Sequence, residues 1–208
     1  MDRKVGAIFD WDGVIINSAA HHEASWERLA KECGKTLPEG HFKRGFGMKN
    51  EVIIPEVLGW TVAPVEIRIL SLRKEAIYRE VVREQGMTAL PGVEMWLRTL
   101  RDAGIPCAIA SSTHRENITT TLDVLGRGEF FSAIVTAEDV KRGKPDPEVF
   151  LTAARQIGVE PGNAVVFEDA LVGSRRPRRP ECAWWPWRRP NRKKSWPMRT
   201  GSWIGWMS

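Results

Sequence analysis

The sequence predicts an α/β fold, a parallel sheet with helices on both faces and a helical module inserted after its first strand. Two observations carry this. From residue 92 onward, strand-like and helix-like segments alternate strictly. Before that alternation, residues 19–86 read as helices alone. The length of 208 residues suits one domain carrying an insertion.

The elements follow in order. Val5 to Phe9 is a short apolar run ending at Asp10, the pattern of a buried strand. Residues 19–33 place Trp26, Leu29 and Ala30 at helical spacing and stop at Gly34. Residues 50–59 and 64–84 are further helices, the second opening just after Pro64. Ala89-Leu90-Pro91-Gly92 is a turn. Helix 93–103, strand 105–110, helix 114–125, strand 132–136, helix 147–158 and strand 163–167 complete the series. The expected organisation is a discontinuous core of residues 1–17 and 88–173, a helical cap at 18–87, and a separate tail at 174–208.

Composition narrows the function class. Apolar residues make up 42% and charged residues 27%, a globular balance. No run approaches the roughly 18 apolar residues of a membrane span. The N-terminal apolar stretch is too short, and too acidic at its end, for a secretory signal. Cys33, Cys107 and Cys182 are scattered and form no CxxC pair, so neither a disulfide framework nor a zinc site is expected. A cytoplasmic setting follows from that reading. The oligomeric state is not encoded in these patterns, and a monomer is the expectation.

In an open parallel sheet, chemistry gathers at the carboxyl ends of the strands. Those ends carry Asp10-Trp11-Asp12-Gly13, Ser111-Ser112-Thr113, Glu138-Asp139 followed by Lys144-Pro145, and Glu168-Asp169. Three acidic ends, one hydroxyl end and a lysine suit a divalent cation bridging carboxylates to a phosphate. Asp10 and Asp12 stand two apart at a strand end, so their side chains can project in similar directions. One carboxylate can attack phosphorus. The other can protonate the leaving oxygen and later take a proton from water. Mg²⁺ held by Asp10 and Asp169, with Glu168 close by, would offset the repulsion between acids and phosphate. Lys144 adds a second positive charge, and Ser111 a hydrogen-bond donor. Each group has a plainer reading when taken singly. Asp10-x-Asp12 can be a turn, Ser111 a helix N-cap for 114–125, Lys144 a solvated charge, and Glu168-Asp169 a polar loop. Trp11 reads as packing.

Phe9-Asp10-Trp11-Asp12-Gly13-Val14, Ala110-Ser111-Ser112, Gly143-Lys144-Pro145-Asp146-Pro147 and Phe167-Glu168-Asp169-Ala170 occur in this order. Together they resemble the four signature motifs of the haloacid dehalogenase superfamily, over residues 4–173. Within it the chain is similar to the phosphatase and beta-phosphoglucomutase-like branch with a helical cap. The resemblance implies a Rossmann-like core. It implies Asp10 as the residue that becomes aspartyl-phosphate and Asp12 as general acid/base. It implies phosphate binding by Ser111, Ser112 and Lys144. It also implies an Mg²⁺ site of Asp10, the Asp12 backbone carbonyl, Glu168 and Asp169. Dehalogenases of the superfamily lack the second aspartate and the metal, so Asp12 and Asp169 point to phosphate chemistry. The implied activity is hydrolysis of a small phosphorylated metabolite, a sugar phosphate above all, with a phosphoglucomutase-type isomerase as the alternative.

In the cap, His22, Trp26, Lys49 and Asn50 lie where mutase-like relatives approach substrate. His22 matches a histidine used near the acid/base. Where mutases carry an arginine for the second phosphate, this chain has Gly47-Met48-Lys49-Asn50. Lys49 is a point charge without a fork, which favours the phosphatase reading.

The net charge of +5 averages two unlike parts. Residues 174–208 hold ten Lys/Arg, a single acid and six of the ten tryptophans. In the family the fourth motif is followed by a helix, an edge strand and a last helical stretch, and Pro177 and Pro180 cannot sit inside that helix. Three readings stand for the tail. It is a basic nucleic-acid arm, an interfacial membrane segment, or out-of-frame translation of a GC-rich gene. Tryptophan has the single codon TGG, so Trp184-Trp185-Pro186-Trp187 is TGG TGG CCN TGG. One base earlier this reads NTG GTG GCC NTG, four apolar residues suited to an edge strand. That arithmetic favours the third reading. It leaves the catalytic set, which ends at Asp169, intact. It also predicts a core without its native edge strand, weakened and prone to aggregate.

Overall fold

The computed structural model of the chain describes residues 4–45, 47–169 and the strand 183–186. Its strands are β1 (Gly6–Phe9), β2 (Cys107–Ala110), β3 (Ala133–Val135), β4 (Ala164–Glu168) and β5 (Ala183–Pro186). They form one parallel sheet in the order β3-β2-β1-β4-β5. β2 starts two residues later than predicted. The reason is that Ile105 closes the preceding helix by donating to Leu100 O at 2.9 Å.

Among the described residues, three helices cover the two faces of this sheet, α5 (Val93–Asp102), α6 (Arg115–Leu125) and α7 (Glu148–Gln156). Side chains of a strand alternate between faces. Ala7, Phe9, Cys107 and Ile109 pack with Leu97 and Leu100 of α5 and Ile118 and Leu122 of α6. Ile8, Ala108, Ala110 and Val166 pack with Val149, Phe150 and Ala153 of α7. Burial on both faces explains why the strands read as apolar runs and not as alternating ones. Trp11 is fully buried in the first of these clusters, as its packing reading expects.

Between β1 and α5 lie α1 (Ala19–Glu32), the five-residue α2 (His41–Gly45), α3 (Asn50–Val52) and α4 (Pro64–Gln85). α2 is too short to show a helical period in sequence. The helix predicted at 50–59 is one α turn followed by a π turn, Ile53–Val57. Pro55 has no N–H to give an α-helical ladder, and the wider turn is closed by Leu58 N–H on Ile53 O at 2.9 Å. Trp26, Leu29, Ile53, Ile54, Leu70, Ile77 and Val81 form a separate core here. The chain leaves the sheet layer and returns to it side by side. Ile16 bridges Ala89 antiparallel, and Leu90 N–H donates to Ile15 O at 2.8 Å.

The outer edge of β4 is taken by a segment of the tail, β5, which lies parallel to it with Ala183 opposite Val165 and Pro186 opposite Glu168. An unpaired edge is a template for any extended segment. Trp184 and Trp185 have high strand propensity, and a proline is tolerated on an edge strand. The rest of the tail, with Pro177, Pro180 and Cys182, lies outside the described residues. No helix among the described residues is long and apolar enough to cross a membrane.

Candidate active site

β1 and β4 are neighbours, with Phe9 opposite Phe167. The residues that follow that pair, Asp10 and Glu168, therefore emerge side by side at one sheet end. Asp10 N–H donates to Phe167 O at 2.9 Å and continues the ladder to this point. One carboxylate oxygen from each of Asp10, Glu168 and Asp169 lies within 4.8 Å of the other two. An all-oxygen, acidic donor set of this kind fits a hard divalent cation. Gly13 makes room for the Asp169 carboxylate. Its φ is +80°, and a Cβ added there would stand 2.0 Å from Asp169 Oδ2.

Lys144 comes from the loop before α7. Its ammonium lies 2.8 Å from Asp10 Oδ1 and 2.6 Å from Glu168 Oε2. Burial works against the Lys144 charge, but Asp10 and Glu168 outweigh it and hold its pKa above the ordinary lysine value. Glu168 is pushed up to about 7 by its burial and then by the Asp10 charge, with Lys144 opposing.

Asp12 has different partners. Ser18 Oγ donates to one of its oxygens and Thr113 Oγ1 donates to the other, the latter at 2.6 Å. Burial raises its pKa, the two hydroxyls pull it down, and the Asp10 charge adds to the rise. A burial that shifts a carboxyl group toward its protonated form suits it to giving and taking a proton.

Ser111 is buried after β2. Its N–H donates to Val135 O at 3.0 Å, and its Oγ accepts from Thr113 N–H at 3.1 Å. It is not the N-cap of the next helix, because α6 begins at Arg115 with His114 as N-cap. Ser112 is exposed.

Of the residues predicted for the cap, His22, Trp26 and Asn50 gather around Lys74 and Glu75, and Lys49 stands apart. His22 stacks on Tyr78 at 4.2 Å, and its Nδ1 lies 2.7 Å from Lys74 Nζ. Asn50 Nδ2 donates to Glu75 Oε1 at 2.7 Å and to Ser71 Oγ at 3.2 Å. Trp26 is buried in the core of the inserted helices, with Lys74 Nζ 5.5 Å from its ring centroid. Lys49 is exposed, just before α3.

Three residues of this constellation were not predicted, Ser18, Lys74 and Glu75, and Thr113 was noted at its strand end without a role. Hydroxyls near a helix start carry no distinctive signal. Lys74 does carry one. It falls on the stripe Leu70, Ile77 and Val81, so a charge stands on the buried face of α4. Burial lowers the Lys74 pKa, while Glu75 and Asp12 oppose that shift by their charge.

A family model described as haloacid dehalogenase-like hydrolase matches residues 7–177. The chain belongs to this family. A chloroplastic 5-amino-6-(5-phospho-D-ribitylamino)uracil phosphatase of Arabidopsis thaliana is 40% identical over 169 residues, 80% of this chain and 45% of that protein. The chain thus spans less than half of that relative's length. Hexitol phosphatase A of Escherichia coli is 33% identical over 173 residues, 82% of this chain and 77% of that protein. A solved beta-phosphoglucomutase of Clostridium difficile superposes with a TM-score of 0.68 at 27% identity, covering 83% of this chain and 78% of that one. In this haloacid dehalogenase-like hydrolase the three clustered acids, Lys144 and Asp12 all lie within the matched span.

Proposed function

We propose that the chain is a Mg²⁺-dependent phosphomonoester hydrolase for a small phosphorylated metabolite, of the sugar phosphate class. The reading assigns residues 1–17 and 88–173 to the catalytic core and 18–87 to a cap over it. The observation that carries it is the convergence of Asp10, Glu168 and Asp169 within 4.8 Å, with the Lys144 ammonium on two of the three.

In this mechanism an Asp10 carboxylate oxygen attacks phosphorus. The bond from phosphorus to the ester oxygen breaks as Asp12 passes its proton to that oxygen, and the alcohol leaves. A water then gives its proton to Asp12 and attacks the aspartyl-phosphate. The Asp10–phosphorus bond breaks and inorganic phosphate is released. Lys144 and Ser111 hold the phosphoryl oxygens by charge and hydrogen bonding. Mg²⁺, held by Asp10, Glu168, Asp169 and the Asp12 carbonyl, supplies charge neutralisation when bound. The cap excludes bulk water during the first transfer.

Relatives named as phosphatases support hydrolysis. A mutase needs a second phosphate site in the cap, and Lys49, a point charge without a guanidinium fork, weighs against one there. The exposed free thiol of Cys33 suits a reducing, cytoplasmic setting.

A panel of phosphorylated metabolites assayed for inorganic phosphate tests this. Release is expected with Mg²⁺, lost on chelation, restored by Mg²⁺ and abolished by Asp10→Asn. Dependence on a bisphosphate activator, with isomerised product and no phosphate, points to the mutase instead. A folded protein that releases no phosphate from any member overturns the hydrolase.

A further inference from the structure

Glu75 is where the cap meets the sheet layer. Its two carboxylate oxygens face different elements. Oε1 accepts from the cap, from Asn50 Nδ2 at 2.7 Å and Lys74 Nζ at 3.0 Å. Oε2 accepts from Asn117 Nδ2, and Asn117 belongs to α6. Asn117 is 1% exposed. Its Oδ1 accepts from Arg79 Nη1 at 3.0 Å, one turn along α4 from Glu75. One amide of the core thus answers two cap charges of opposite sign, donating to the acid and accepting from the base. The seam continues in kind. Arg79 pairs with Glu116 at 3.0 Å, and Arg83 donates to Thr120 Oγ1 at 3.3 Å. Water can replace bonds of this type when two helices part, so the seam is suited to opening and closing.

The group that this seam carries is Lys74. Its side chain is 3% exposed and bonds to His22 and Glu75. Asp12 is held from the same end of that helix, because Thr113, which donates to Asp12 at 2.6 Å, lies just before α6. The start of α6 therefore positions Asp12, and its first turn positions Glu75 and, through Glu75, Lys74.

We propose that Asn117 is a positioning residue that latches α4 of the cap on α6 of the core, so that Glu75 holds the amine of Lys74 buried beside His22 only while the bond across this seam is made. Its kinetic consequence rests on the hydrolase reading; the latch itself is a property of the α4–α6 seam.

The test compares wild type with Asn117→Asp. That change keeps the shape and the Arg79 partner, and it replaces the donor to Glu75 by a carboxylate. Lysines are acetylated with N-hydroxysuccinimidyl acetate and followed by peptide mass spectrometry, with exposed Lys31 and Lys141 as references. Asn117→Asp is expected to speed labelling of Lys74 by about tenfold relative to those references. It is also expected to lower kcat on a small aryl phosphate by about as much, with KM little changed. Pairing Asn117→Asp with Glu75→Gln reverses donor and acceptor and is expected to restore protection of Lys74. If Asn117→Asp does not fold, Asn117→Ser draws the donor out of reach and reads the same two rates. Lys74 labelling as slow in the folded single variant as in wild type overturns the latch. A wild-type protein without phosphatase activity overturns only the hydrolase reading, and labelling still decides the latch.

Discussion

Lys144 holds its ammonium 2.8 Å from a carboxylate oxygen of Asp10, joining the loop before α7 to the end of β1. The same ammonium lies 2.6 Å from Glu168. One cation therefore serves two acids that would otherwise repel each other and any phosphate between them.

Removing that cation tests its share of the chemistry. Lys144→Met is expected to lower kcat/KM for phosphate release by about 10²–10³-fold. It also leaves Glu168 buried beside Asp10 without a counter-charge, so the thermal midpoint is expected to fall. Steady-state kinetics and a melting curve check both. Activity within a few-fold of wild type means that Lys144 is a structural ion pair alone.

Gly13 is required by space as well as by φ. With Asp169 Oδ2 2.0 Å from the site of an added Cβ, Gly13→Ala must displace the Asp169 carboxylate. A left-handed backbone costs a non-glycine residue about 1–2 kcal/mol, so some stability is lost too. The expected result is loss of Mg²⁺-dependent activity and weaker Mg²⁺ binding by calorimetry. Unchanged Mg²⁺ affinity contradicts a cradle at Gly13.

Thr113 and Ser18 hold the two oxygens of Asp12. Thr113→Val keeps the shape and removes one donor, so Asp12 is freer to rotate. We expect kcat to fall by about tenfold or more, with KM nearly constant, because proton transfer and not binding is affected. A rise in KM with unchanged kcat would place Thr113 at the substrate and not at the acid/base.

Acid stability follows from His22 and Glu75. Burial and then the Lys74 charge depress the His22 pKa from 6.5 to about 3, with Glu75 opposing and His21 adding to the fall. The unfolded chain therefore binds a proton first. The contribution of neutral His22 is present above pH 6.5 and is lost as pH falls from there toward 3. Glu75 is opposed by its burial, but the charges of Lys74 and His22 and the bonds from Asn50 and Asn117 bring it down from 4.5 to about 2. Its contribution is present above 4.5 and is lost as pH falls through about 2. At about 1.4 kcal/mol per pKa unit, the combined acid destabilisation is on the order of several kcal/mol. Urea unfolding at pH 7.0 and 5.5 checks the first part, and His22→Asn should flatten that interval. An equal slope in wild type and variant removes His22 from the account.

The strand-end acids were legible for a physical reason. Asp10, Asp12, Glu168 and Asp169 each sit at the end of an apolar run, and a parallel sheet brings such ends to one side. The α5–α7 alternation was legible because each helix buries one regular stripe. The π turn at Ile53–Val57 was hidden, because Pro55 signals a break without specifying which wider turn repairs it. β5 was hidden because its pairing depends on the open edge of β4, which no residue of 183–186 announces. The roles of Ser18, Thr113 and Asn117 were hidden because hydroxyl and amide side chains are ordinary near helix starts, and only burial against a partner gives them a role.

The sequence by itself determined which groups exist for chemistry: the acids at two strand ends, the lysine of a loop, and the helices between them. Local pattern suffices for that, since period and strand ends are written in neighbouring residues. Only the tertiary structure decided which of these groups meet. Lys144 reaches Asp10 and Glu168 because β1 and β4 are adjacent. Lys74 comes under the control of α6 because Asn117 reaches Glu75 across the seam. Hydrogen bonds and charges act over a few ångströms of space, and distance along the chain does not reveal that proximity.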